Sequence, residues 1–279
     1  LESSHDKQVR SGEAEAMTPG LEVPSNGVAD EATSPGLRAA AGAGRAFELK
    51  FELSPDDALR MKAWARRHLQ ADPHAGTDGA YRITSVYCDT PEFDVFHRST
   101  GYRGSKLRLR RYGSAPFVFL ERKVRRGDEV RKRRIEVSPE DLPRLSQFVD
   151  AARPQPDWRA NWFLERALKK RVAPACRVGY RRTAFFGISG GQALRLTIDE
   201  DLIGVPARGW DAQPLQEGLE LLPGRALLEL KFQDVMPALF RGLLPELPLG
   251  TARVSKYRRC IRLCGLAQDR TLPPPTETP

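Results

Sequence analysis

The sequence predicts an α+β fold: a core of about eight antiparallel strands, helices packed outside, and a cation-lined interior. Three observations carry this. Many short segments alternate apolar and charged residues with period two, which gives a strand one apolar and one charged face. Helix-start signals punctuate these segments. The positive charge gathers on one parity of consecutive strands.

In chain order, Phe47, Leu49, Phe51 and Leu53 alternate with Glu48, Lys50 and Glu52, predicting a strand over 45–53. Ser54-Pro55-Asp56-Asp57 follows, with a cap, a first-turn proline and an acid three residues on, so a helix runs to about Gln70. Strands are predicted over 80–89, 103–112, 116–125 and 128–137, with turns near Gly113 and Gly127 that make neighbours of the last three. Ser138-Pro139-Glu140-Asp141 repeats the helix-start signal, although Pro143 moves the true start. A helix over 157–172 carries Trp158, Trp162, Leu164 and Leu168. Strands over 176–186, 192–200 and 226–232 come next, then short helices over 234–244 and 255–263.

Composition bounds the rest. The chain has 279 residues, 40% of them hydrophobic, enough to bury a core, so wholesale disorder is excluded. No apolar run approaches the roughly 18–20 residues that span a bilayer as a helix. Cys88, Cys176, Cys260 and Cys264 form no Cys-x-x-Cys pair, which argues against a zinc site and for a reducing, cytoplasmic compartment. Residues 1–44 lack aromatics and periodicity and read as a disordered tail or an expression remnant; 267–279, with Pro273-Pro274-Pro275, reads as a second loose tail. The domain therefore spans 45–266.

Net charge is +9, with 35 Arg to 10 Lys, and residues 98–134 hold 14 basic against three acidic side chains. Like charges opposite each other across strands destabilise an open solvated sheet face. Cationic positions recur at Arg182, Arg195, Lys231 and Lys256. If the sheet curls until its charged faces share one interior, that lumen must stay wet or hold an anion. Condensed phosphate is the natural filler, with Arg195 and Lys231 among its expected contacts, because each phosphoryl group accepts several charge-assisted bonds. A nucleic-acid binder would instead show a convex basic surface with exposed aromatics, so no nucleic-acid partner is expected.

Six motifs occur in order: Glu48-Leu49-Lys50-Phe51, Lys106 to Gly113 (KLRLRRYG), Glu121-Arg122-Lys123, Tyr180 to Thr183 (YRRT), Leu228 to Lys231 (LELK), and Val254 to Tyr257 (VSKY). Together they resemble the VTC domain, the catalytic polyphosphate polymerase domain of the vacuolar transporter chaperone complex. That domain is a triphosphate tunnel metalloenzyme built on an eight-stranded antiparallel tunnel. The resemblance implies that Lys50, Arg108, Arg110, Lys123 and Arg182 are the catalytic cations holding nucleotide and chain phosphates. It implies phosphate contacts from Tyr180, from Lys132 or Arg134, and from Ser255 and Lys256 at a helix start. Arg253 stands where the family has lysine, and Glu229 matches a divalent-metal ligand. The wider superfamily's Glu-x-Glu-x-Lys has Ala46 at its first position here, which favours the polymerase branch over two-metal hydrolysis.

The implied activity is transfer of the γ-phosphoryl group of a nucleoside triphosphate, ATP by expectation, to a growing polyphosphate chain, with Mn²⁺ or Mg²⁺ as cofactor. Phosphoryl transfer needs positioning and charge neutralisation, and a phosphate acceptor is already ionised, so the scarcity of His is consistent. The alternatives are a triphosphate or polyphosphate hydrolase using the same tunnel, and a polyphosphate-binding module without turnover. The absence of membrane segments points to a stand-alone enzyme docked to a separate membrane protein. Ala substitution of Lys123 or Glu229 is expected to abolish product and leave the fold intact.

Overall fold

The computed structural model describes residues 46–126, 129–150, 156–247, 251–252 and 254–269. The tails expected over 1–44 and over most of 267–279 lie outside the described residues.

Period-two alternation becomes strand at each predicted place. The strands are β1 (Ala46–Leu53), β3 (Ala80–Asp89), β4 (Ser105–Tyr112), β5 (Val118–Arg126), β6 (Glu129–Val137), β7 (Ala173–Ser189), β8 (Gln192–Pro206) and β10 (Ala226–Gln233). Two short strands were not expected: β2 (Gln70–Ala71) and β9 (Leu219–Glu220) pair β7 and β8 respectively. The sheet order is β1-β10-β8-β7-β3-β4-β5-β6, and every pairing is antiparallel. Among the described residues β1 and β6 do not pair, so the ladder is not closed; the sheet curls, and an ion pair between Glu48 of β1 and Lys123 of β5 spans the curl. β7 and β8 both outrun the expected strands; in β8 the pairing with β7 slips between Gly179 and Arg181, where Asp201 sits at φ 51°. This bulge shifts the parity, so Leu202 rejoins the buried face without a continuous alternation in sequence.

The helices lie where their caps place them. Ser54 accepts from the Asp57 amide and starts α1 (Pro55–His68). Ser138 starts only a 3₁₀ turn over Pro139–Asp141, and α3 (Leu142–Asp150) follows, which is the displaced start that Pro143 implies. The other helices are α2 (Asp94–His97), α4 (Asn161–Lys170), α5 (Ala238–Leu243) and α6 (Lys256–Leu263). None of the described helices is long and apolar enough to cross a membrane.

The apolar parity faces outward, under the helices. On one flank α1 lays Ala58, Met61 and Ala65 against Phe51, Leu196, Leu228 and Leu230. On the other, α3 and α4 bury Leu145, Phe163, Leu164 and Ala167 against Leu107, Leu109 and Leu120. Each fully buried Leu or Phe contributes about 1.5–3 kcal/mol, which fixes which face of each strand is left for the interior. A third cluster lies inside the curl, where Tyr257, Cys260 and Ile261 of α6 meet Tyr87, Cys176 and Val178. Asp89, at the end of β3, holds α2 and α6 together. It accepts from the amides of Thr90, Val95 and Phe96 and from the Tyr257 hydroxyl. α6 is thereby anchored so that its N-terminus opens on the interior.

Candidate functional site

The opposite parity of the strands faces inward. Across the ladder, Lys50 of β1 opposes Glu229 of β10, Lys231 opposes Arg195 of β8, and Lys106 of β4 opposes Lys123 of β5. All of these but Arg195 meet in one cavity of about 260 Å³. β1 contributes Glu48 and Lys50; β4 contributes Lys106, Arg108 and Arg110; β5 contributes Lys123 and Arg125; and β6 contributes Lys132. Tyr180 and Arg182 enter from β7, Glu229 and Lys231 from β10, and Ser255 and Lys256 from the start of α6. Ten basic side chains thus face two carboxylates in the lining, and Glu121 and Asp199, outside it, balance part of the excess.

The floor of the cavity is an ion-pair network. Arg182, 2% exposed, grips the fully buried Asp199 through Nε at 2.6 Å and Nη2 at 2.8 Å. Lys256 Nζ reaches the same carboxylate at 2.6 Å and Glu229 Oε1 at 3.3 Å. Glu229 also meets Lys50 at 3.0 Å, Lys231 at 3.2 Å and Arg182 at 4.0 Å. Burial opposes the charge on Glu229, yet Lys256, Lys231, Lys50 and Arg182 together hold its carboxyl well below the usual range. Burial likewise opposes the charge on Lys256, but Asp199 and Glu229 outweigh it and raise its pKa. Nearer the mouth, Glu48 bridges Lys50 at 2.8 Å and Lys123 at 3.7 Å, tying β1 to β5 across the curl. Arg108 pairs with Glu121. Arg110 donates to Ser85 at 3.2 Å and to the Tyr180 hydroxyl at 3.3 Å.

The structure brings together Lys50, Arg108, Arg110, Lys123, Lys132, Tyr180, Arg182, Glu229, Lys231, Ser255 and Lys256. It leaves two expected phosphate contacts out of the lining. Arg195 has the inward parity but lies beside the β3 end that carries Tyr81. There it donates to Asp72 at 2.9 Å and to the Tyr81 hydroxyl at 3.3 Å. Arg134 stacks its guanidinium over Phe119 at 4.1 Å. Of the expected pair, Lys132 and Arg134, both on β6, Lys132 is therefore the one in the lining. Arg253 lies outside the described residues. Three inward groups were not singled out from sequence as site residues: Lys106, Glu48 and Asp199. Lys106 has the parity of Arg108 and Arg110, and Asp199 that of Arg195, so period two marks both. Of the described histidines, His68, His74 and His97, none lines the cavity.

Two carboxylates, Glu48 and Glu229, share the cavity, and among the described residues no group of three His, Cys, Asp or Glu gathers that could hold a metal ion. The donor set therefore fits a hard divalent cation that takes one or two protein carboxylates and completes its shell with phosphate and water oxygens. It does not fit a closed structural site.

No curated protein matches this sequence. Among solved structures, the chain is similar to a candidate adenylyl cyclase from Hippeastrum with a dominant triphosphatase activity, at 16% identity and a TM-score of 0.45 over 79% of this chain and 96% of that one. It is similar to a candidate adenylate cyclase from Bacillus halodurans, at 13% identity and a TM-score of 0.40 over 83% and 95% of the two chains. A protein from Pyrococcus horikoshii matches at 12% identity and a TM-score of 0.40 over 78% and 99%. The family model described as the VTC domain matches residues 45–264. With that match over most of the chain, on a curled antiparallel sheet whose cations share an inward parity, the chain belongs to the VTC domain family.

Proposed function

We propose that the protein is a polyphosphate polymerase that moves the γ-phosphoryl group of a nucleoside triphosphate, ATP in the first instance, onto the end of an inorganic polyphosphate chain. The observation that carries this reading is the convergence of cations from six strands and one helix start on one cavity that no described histidine lines. A terminal oxygen of the chain forms the new bond to the γ-phosphorus, and the bond from that phosphorus to the bridging oxygen breaks, leaving the nucleoside diphosphate. The attacking oxygen is already ionised, so no general base is required. Lys50, Arg108, Arg110, Lys123 and Arg182 would hold donor and acceptor in line and neutralise charge on the oxygens in flight. Ser255, at the N-cap of α6, and Lys256 would grip a neighbouring phosphate, with Tyr180 and Lys132 as further contacts. Glu229, with Glu48 beside it, would hold Mn²⁺ or Mg²⁺, which would supply further neutralisation of the phosphate oxygens.

A hydrolase of triphosphate or polyphosphate uses the same tunnel with water as acceptor. Glu48, with a side chain 23% exposed at the mouth, is the carboxylate such a reaction could use to orient that water. Incubation with ATP and Mn²⁺, read on a polyphosphate gel and by a free-phosphate assay, separates the readings. A ladder of lengthening chains is expected. Free phosphate without a ladder would replace the polymerase by the hydrolase, and tight binding without either product would leave a binding module. A separate membrane protein as docking partner belongs to the same proposal, with capture of a purified membrane fraction by the full chain as its check.

A further inference from the structure

Six cavity cations have a protein carboxylate to balance them. Lys50 and Lys123 share Glu48; Arg108 has Glu121; Arg182 has Asp199; and Lys231 and Lys256 have Glu229. Lys106 differs. Among the described residues its Nζ has one hydrogen-bond partner, the neutral Ser255 Oγ at 3.3 Å, and lies 5.7 Å from the centre of the Tyr257 ring. Its cross-strand neighbour on β5 is another cation, Lys123. The groups facing it are Lys50 from β1, Lys123 from β5, Arg108 from its own strand, Arg98 from the loop after α2, and Ser255 and Tyr257 from α6. No anion stands among them, although Lys106 points into the cavity beside the helix start.

We infer that Lys106 is a further phosphate-contacting residue of this tunnel, paired with Ser255, and that its counter-charge comes from the bound anion and not from the protein. The inference rests on the reading of the cavity as a condensed-phosphate site. Burial first, and then the positive neighbours Lys50, Lys123, Arg108 and Arg98, bring the Lys106 ammonium down to about 7. In the empty tunnel it is therefore partly neutral near neutrality. A phosphate placed between Lys106 and Ser255 supplies the missing negative charge, favours the ammonium and draws a proton from solvent. Binding then takes up a proton at pH values above 7, and affinity falls as the pH rises through that range, approaching tenfold per pH unit. Lys123, also lowered by burial, adds its own pH dependence, so the contribution of Lys106 is the difference between variants.

The test is calorimetric titration of tripolyphosphate, without metal, into the full chain, in buffers of different ionisation enthalpy and across pH values on both sides of 7. The wild type, Lys106→Arg and Lys106→Met are compared, with thermal unfolding of each measured alongside. Methionine removes a desolvated charge and keeps the stem, so this variant is expected to fold. The wild type should take up more protons than either variant and lose affinity more steeply above pH 7. Lys106→Arg, always charged, should bind tightly with the shallower slope, and Lys106→Met should bind more weakly, by about tenfold at and below pH 7. Equal proton uptake and equal slopes in all three folded proteins, each binding tripolyphosphate, would overturn the inference. A wild type that does not bind tripolyphosphate would overturn the tunnel reading itself.

Discussion

Replacing Asp199 with Ala is expected to lower the unfolding free energy by about 3–5 kcal/mol, read as a shift in the denaturant midpoint. Asp199 is fully buried and is clasped by Arg182 through two hydrogen bonds and by Lys256 at 2.6 Å. Its removal leaves two cations, each less than a tenth exposed, with less compensation than their desolvation requires. The pH dependence has a definite sign. Burial opposes the charge on Asp199, but Arg182 and Lys256 outweigh it and hold the carboxyl below its ordinary 3.8. A carboxyl with a depressed folded-state pKa contributes stability above its unfolded value and loses it as the pH falls through the folded value. The gap between wild type and variant should therefore be full at neutral pH and narrow in acid, below about pH 3.8. Tripolyphosphate should restore part of the lost stability, about 2.7 kcal/mol at a hundredfold excess over its Kd. A variant as stable as the wild type at neutral pH would show that the floor network is not load-sharing in this way.

Lys123→Ala should reduce polymer formation by about 10²–10³-fold and leave the melting temperature close to that of the wild type. The Lys123 side chain is 37% exposed, and its ion pair with Glu48 is 3.7 Å long, so truncation removes little that holds the fold. What it removes is a positive charge aimed at the cavity from β5. The paired expectation for Glu229 changes once its surroundings are known. Its carboxylate stands within 4.0 Å of Lys50, Lys231, Lys256 and Arg182, so Glu229→Ala should cost both product and stability, contrary to the expectation of an intact fold. The two variants thus separate a positioning charge from a charge that also maintains the floor. Initial rates from the gel, set beside melting curves, check both, and full activity in Lys123→Ala would remove that residue from the site.

Much of this was legible because period two is a geometric property of strands. The alternations around Lys50, Arg108, Lys123 and Glu229 specify a face, and apolar helices claim the other one. Parity says nothing of height along the interior or of local partners. Arg195 has the inward parity and still turns to Asp72 and Tyr81, and Arg134 turns to the Phe119 ring. The bulge at Asp201 hid the second half of β8, because an extra residue reverses the alternation. The two-residue strands β2 and β9 carry too few residues for any period. Parity places Asp199 on the inward face, and only its contacts show that Arg182 and Lys256 converge on it.

The central claim is that the inward cations form a receptor for condensed phosphate, and a crystal structure of the full chain soaked with tripolyphosphate addresses it most directly. The account predicts phosphorus density inside the cavity, contacted by Lys50, Arg108, Arg110, Lys123 and Arg182. Tripolyphosphate found on the outer surface, with an anion-free cavity and its cations still turned to Glu48, Asp199 and Glu229, would contradict it.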